Sequence, residues 1–94
     1  MPGAAAKNDM SWEDVLCSRT RIKVLKILKK YQRLNTTEIA RCVGSNFTAV
    51  ASHLKVLENE GLLTRADFGV RSHVYRLNES PRAKAIVKLL EAWE

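Results

Sequence analysis

The sequence predicts a mainly α fold closed by a single β-hairpin, and three observations carry that reading. Apolar residues recur at helical spacing in several stretches, each opened by a capping residue. Two of these helices are parted by a turn too short for an antiparallel return, so they must cross steeply. Only the stretch from Leu62 to Leu77 departs from the helical period, with turn chemistry at Asp67 to Gly69 between two short β-leaning runs. The 94 residues suit one compact domain, with 46% hydrophobic and 28% charged residues in the ordinary globular range.

The elements follow in chain order. Residues 1–10 are small, polar and unpatterned, which predicts a mobile tail. Ser11 with Asp14 resembles a capping arrangement, and Trp12, Val15 and Leu16 give a short apolar face. Ser18 resets the chain before Arg19 to Tyr31, where Ile22, Leu25 and Leu28 recur beside Val24 and Ile27. The other face of that helix is basic. Asn35 and Glu38 form a capping box that opens a short helix with Ile39, Ala40 and Val43 facing inward, closed at Gly44. Ser45 and Asn46 then offer a new cap for a helix running to Glu60, with Val50, Leu54 and Leu57 on one stripe and Gly61 as its stop. After the hairpin, Ser80 followed by Pro81 opens a last helix.

Helix, short helix, reading helix, hairpin and final helix is the order of a winged helix-turn-helix, here with an additional C-terminal dimerisation helix. The expected division is a tail over 1–10, the winged helix over 11–79 and the dimerisation helix over 80–94. In such a module the helix after the tight turn reads DNA. Opposite its apolar stripe lie Ser45, Asn46, Thr48, Ala49, Ser52 and Lys55, small or hydrogen-bonding groups that let a helix sink into the roughly 12 Å wide major groove. Lys55 suits phosphate better than a base edge. Thr36 and Thr37 begin the short helix, where free N–H groups and the dipole favour a phosphate. Arg71 and His73 past the Gly69 turn, with Arg65 on the neighbouring strand, place cations on the wing, although a charged edge strand also resists aggregation. His53, beside the buried stripe, reads as a packing or hydrogen-bonding residue.

Sixteen Lys and Arg against ten Asp and Glu give a net charge of +6, which points to a polyanionic partner. Six of these cations fall between Arg19 and Lys30 with no acidic residue among them, so much of the excess lies behind the reading helix. No run approaches the ~18 apolar residues of a membrane span, and the start lacks a signal-peptide pattern. A soluble cytoplasmic protein is expected. Cys17 and Cys42 are too few for a disulfide framework and have no metal-site spacing, so both read first as partly buried thiols. Cys42, just before the helix-turn-helix corner, is a candidate for redox control, and a bridge to Cys17 stays open. No nucleophile with its base, carboxylate pair, phosphate-cradling loop or metal cluster appears, so neither an enzyme nor a cofactor is expected.

The stretches TRIKVLKIL (Thr20 to Leu28), TEIARCVG (Thr37 to Gly44) and VASHLKVLENEGLL (Val50 to Leu63), with the wing ending VYRL (Val74 to Leu77), resemble the arsenical-repressor-type winged-helix regulators. The resemblance implies a homodimer that represses from a palindromic operator. Two positions depart from the pattern. Ala40 stands where soft-metal sensors of that family carry the first cysteine of a CxC pair, leaving Cys42 alone, and Ala51 replaces a usual serine of the reading helix. Neither metal sensing nor sequence preference carries over.

Self-association also follows from the last helix, whose Ala83, Ile86, Leu89, Leu90 and Trp93 exceed what a small core absorbs. With Trp12 and Leu16 they are the expected dimer interface. A two-fold pair would set two reading helices about one DNA turn, ~34 Å, apart. The expectation is a sequence-selective double-stranded DNA-binding repressor. A protein-interaction module of a transcription assembly and a nonspecific architectural DNA-binding protein are its rivals.

Overall fold

The computed structural model describes residues 11–69 and 72–93, so the expected tail over 1–10 lies outside the described residues. Eight elements follow in order: α1 (Trp12–Val15), α2 (Arg19–Tyr31), β1 (Leu34–Asn35), α3 (Thr36–Val43), α4 (Phe47–Asn59), β2 (Leu63–Asp67), β3 (His73–Leu77) and α5 (Pro81–Trp93). The caps are largely those the sequence offers. Ser11 and Ser18 accept from Asp14 N and Arg21 N. Asn35 and Glu38 exchange two 2.8 Å bonds as a capping box. Asn46 rather than Ser45 caps α4, accepting from Ala49 N at 2.8 Å. Gly44 ends α3 at φ 70°, the left-handed conformation that glycine adopts without a Cβ penalty.

The core is one cluster in which α2 supplies Val24, Leu25 and Leu28, α3 supplies Ile39 and Val43, and α4 supplies Val50, Leu54 and Leu57. Leu62, Leu63 and Tyr75 join from the sheet side. Burying each such side chain contributes about 1.5–3 kcal/mol.

The wing is more than a hairpin. The two residues of β1 add an antiparallel edge to β3, giving the order β1-β3-β2 with Leu34 opposite Tyr75 and Arg65 opposite Tyr75. A two-residue strand leaves no periodic trace in sequence and exists here only because β3 offers it a partner. Between α2 and β1 the chain turns on Gln32, the one non-glycine residue with positive φ among those described. Its φ of 71° and ψ of −45°, with Arg33 N donating to Tyr31 O at 2.8 Å, form a strained three-residue γ-turn.

The C-terminal end of α4 is fastened to the start of α5. Arg82 Nη1 reaches the Glu60 carboxylate at 2.9 Å and the Glu60 carbonyl at 3.2 Å. Asn78 Nδ2 and Ser80 Oγ both donate to Gly61 O, at 3.0 and 2.6 Å. Glu60 is buried, so the Arg82 partner offsets what would be a costly lone charge.

Candidate nucleic-acid interface

With Val50, Leu54 and Leu57 fully buried, α4 turns Thr48, Ser52, Lys55 and Asn59 to solvent. These positions recur every three or four residues and so form one stripe along the helix. Neither the Thr48 nor the Ser52 side chain makes a hydrogen bond among the described residues, which leaves both hydroxyls available to an outside partner. Ser45 and Ala49 are half-buried at the stripe's margin, and Asn46 is exposed with its Oδ1 committed to the cap. Phe47 is also exposed, at 57%. Periodicity assigns it to the inward stripe three residues before Val50, but α4 starts beyond the edge of the core and leaves the ring in solvent.

The two threonines of α3 divide. Thr37 is exposed, whereas Thr36 is buried at 8% and faces the core, which corrects its expected place on a phosphate. Asn35, not Thr36, holds the cap, so the first helical residue turns inward with its hydroxyl.

On the wing, Arg65 and His73 lie on one face with Asp67 between them. Asp67 Oδ1 takes Arg65 Nε at 3.2 Å and His73 Nδ1 at 2.7 Å, and Arg65 Nη1 lies 3.9 Å from Glu58 at the end of α4. Both side chains are therefore already engaged by a carboxylate of their own chain. Arg71 lies outside the described residues.

His53 sits half-buried on the flank of α4 and accepts a 3.1 Å hydrogen bond at Nδ1 from Arg21 Nε. Burial, and then the neighbouring Arg21 charge, pull its pKa below the ordinary 6.5. Sequence reasoning found the role but not the partner. Cys17 and Cys42 are both free and exposed, contrary to the expectation of partial burial. The short α1 and the outer side of α3 leave them at the surface. Among the described residues no group of three or more His, Cys, Asp or Glu is placed to hold a metal ion, and no helix is long and apolar enough to cross a membrane.

The expected dimer face is partly consumed by the chain itself. Ala83 and Leu90 are buried in the core, and Leu16 and Ile86 pack half-buried against it. Read alone, α5 is a free amphipathic helix, but its inner side joins the core cluster, which periodicity within one helix does not reveal. What remains outside is Trp12, Leu89 and Trp93, exposed at 72%, 49% and 87%. An apolar groove between α1 and α5, lined by Trp12, Val15, Leu62 and Ile86 among others, runs beside them.

A steep helix pair with an exposed hydroxyl-bearing second helix, backed by a cationic hairpin, defines a nucleic-acid-binding module of helix-turn-helix type. Residues 18–64 match the family described as winged helix-turn-helix DNA-binding, and the chain belongs to that family. Among solved structures it is similar to HlyU, a transcriptional regulator from Vibrio vulnificus CMCP6, at 26% identity and TM-score 0.70 over 85% of this chain and 80% of that one. It is also similar to the AntR antimony-specific transcriptional repressor, with 23% identity, TM-score 0.73, and 98% and 86% of the two chains covered. A homodimeric winged helix-turn-helix fragment from Mycobacterium bovis, a possible ArsR-family transcriptional regulator, shares 23% identity at TM-score 0.68, with 84% and 70% covered. A comparison with curated proteins gives no match.

Proposed function

We propose that the chain is a homodimeric, sequence-selective transcriptional repressor that binds double-stranded DNA and carries no catalytic activity. The observation that carries this reading is the unpartnered stripe of Thr48, Ser52 and Lys55 opposite the buried Val50, Leu54 and Leu57. Thr48 and Ser52 enter the major groove, Lys55 meets phosphate, and Thr37 with Ser45 and Asn46 positions the N-terminal ends of α3 and α4. The wing adds Arg65, Arg71 and His73. Exposed Trp12, Leu89 and Trp93 supply the two-fold interface, and the HlyU, AntR and Mycobacterium bovis likenesses support both regulation and pairing. A regulator of this kind works in the cytoplasm and needs no cofactor. The absence of a base-reading arginine on α4 keeps direct specificity modest, so each mismatched pair costs toward the low end of ~1–3 kcal/mol.

Selection of bound duplexes from a random pool, followed by gel shifts over a salt series, tests the proposal. An enriched inverted repeat with half-sites about one turn apart is the expected result. Binding to no duplex at any salt overturns it, and equal affinity for selected and random duplexes moves the protein to nonspecific DNA coating.

A further inference from the structure

The outer face of the sheet, turned away from the core, carries a second constellation. Across β3 and β2, Arg76 lies opposite Thr64 and Val74 opposite Ala66; across β1 and β3, Asn35 lies opposite Val74. Continuing the β1–β3 register by one residue sets Arg33 opposite Arg76. Directly paired residues share a face, so this surface reads as a row of Arg33, Arg76 and Thr64 followed by a row of Asn35, Val74 and Ala66. Phe68, 62% exposed, lies beyond the second row. Five of these residues and Phe68 enclose a pocket of about 160 Å³, with Asn35 outside it.

Two guanidinium groups facing each other across strands repel, and a fold ordinarily separates or neutralises them. Here neither makes an ion pair within 4.0 Å among the described residues, although Glu79 and Glu91 line a neighbouring groove with both. The Arg33 side chain has no hydrogen bond or ion pair among the described residues, and Arg76 Nη1 makes only a long 3.4 Å contact to the Leu77 carbonyl. The wing's carboxylate, Asp67, lies on the other face with Arg65 and His73. An arginine pair without a direct carboxylate partner is a fork for an anion, and the floor beside it on this face, Val74 and Ala66, is apolar. The step from the arginine row to the Val74 row is about 6.7 Å, the reach of one ring carrying an acidic group. The pocket is also smaller than the roughly 300–1,000 Å³ of drug-sized sites, which limits the occupant to about one ring.

We propose that this pocket binds a small aryl anion, one aromatic ring bearing a carboxylate or phosphate, with the acid held between Arg33 and Arg76 and the ring over Val74 and Ala66 toward Phe68. The site is separate from the α4 stripe and does not depend on the DNA-binding reading.

The test titrates the whole chain with benzoate, phenyl phosphate, inorganic phosphate and phenol while following arginine Nε–H and methyl signals by NMR. Both aryl anions should shift Arg33, Arg76, Val74 and Ala66 saturably, with inorganic phosphate and phenol about tenfold weaker or more. Arg33→Gln and Arg76→Gln should each weaken the aryl anions by about tenfold, as loss of a charged hydrogen bond does, while the amide spectrum and melting temperature stay unchanged. Equal affinity for inorganic phosphate, shifts confined to the lysines of α2, or unchanged affinity in both variants overturns the proposal. Tighter binding of a short single-stranded oligonucleotide through the same residues also overturns it, because the pocket is then a nucleic-acid surface.

Discussion

Arg21 Nε donates to His53 Nδ1 at 3.1 Å across 32 positions of sequence, while its Nη1 takes the Asp14 carbonyl at 3.0 Å. One side chain thus ties the end of α1 to the flank of the reading helix, and the tie needs a neutral His53 with a free Nδ1 lone pair.

That requirement sets a pH dependence. The pKa of His53 is lowered in the folded chain, by burial and then by Arg21, so the unfolded chain takes up the proton first on acidification. The stabilising contribution is complete above the unfolded value of 6.5, falls as pH drops from there toward the lowered folded value, and levels off below it. Thermal melts between neutral and mildly acidic pH should show a decline that His53→Gln, which keeps an acceptor and does not titrate, reduces. Identical pH profiles for the two proteins would remove the role assigned to this histidine.

On the proposed function, the stripe on α4 separates reading from attraction. Lys55→Ala should weaken binding to all duplexes and reduce the slope of log affinity against log salt by about one phosphate contact. Thr48→Ala and Ser52→Ala should instead lower affinity for the selected duplex alone, by ~1–3 kcal/mol at most, with the salt slope unchanged. Gel shifts on selected and random duplexes distinguish the two patterns.

Asp67 holds Arg65 and His73 through one carboxylate oxygen, as a phosphate would. These are exposed pairs, screened by solvent and individually weak. Asp67→Asn should therefore tighten DNA binding by roughly two- to fivefold at low salt, through a freed Arg65 and one less repelling charge. A loss of affinity measured by fluorescence anisotropy would mean that Asp67 orders the wing instead.

Gln32 stands in a conformation that costs a non-glycine residue about 1–3 kcal/mol. Gln32→Gly removes that strain and gives back ~0.5–1 kcal/mol in chain entropy, so a net gain of about 1 kcal/mol is expected in urea unfolding. A destabilised variant would show that the side chain, not the turn, matters at this position.

Leu89 and Trp93 protrude from α5 after the core has taken Ala83 and Leu90. Replacing both with Ser or Gln should shift sedimentation from dimer to monomer without lowering the far-ultraviolet helix signal, since neither lies in the core. An unchanged dimer would place the interface elsewhere.

Helix α2, the Asn35–Glu38 box and the Val50, Leu54, Leu57 stripe were legible because periodicity and capping are local signals. The start of α5 was legible from Ser80 and Pro81, but not which of its apolar residues the chain keeps for itself. That depends on how much surface Val15 and Leu62 present, a matter of tertiary arrangement. Burial of Thr36, exposure of Phe47 and the two residues of β1 are likewise decided by where the core ends and what lies opposite. The outward stripe of α4 could be named residue by residue, whereas Arg21 as the partner of His53 and Asp67 as the partner of His73 could not. Pairing across a turn or a fold leaves no spacing rule in one sequence.

Arg82, Asn78 and Ser80 hold the far end of α4 at Glu60 and Gly61, whereas the side chains of Thr48 and Ser52 bond to nothing within the described chain. On the proposed function, folding and target choice are thus written in different residues of the same helix. Exchange of two or three outward side chains can rewrite the preferred sequence with little effect on stability, so copies of this chain can diverge toward new targets on an unchanged scaffold.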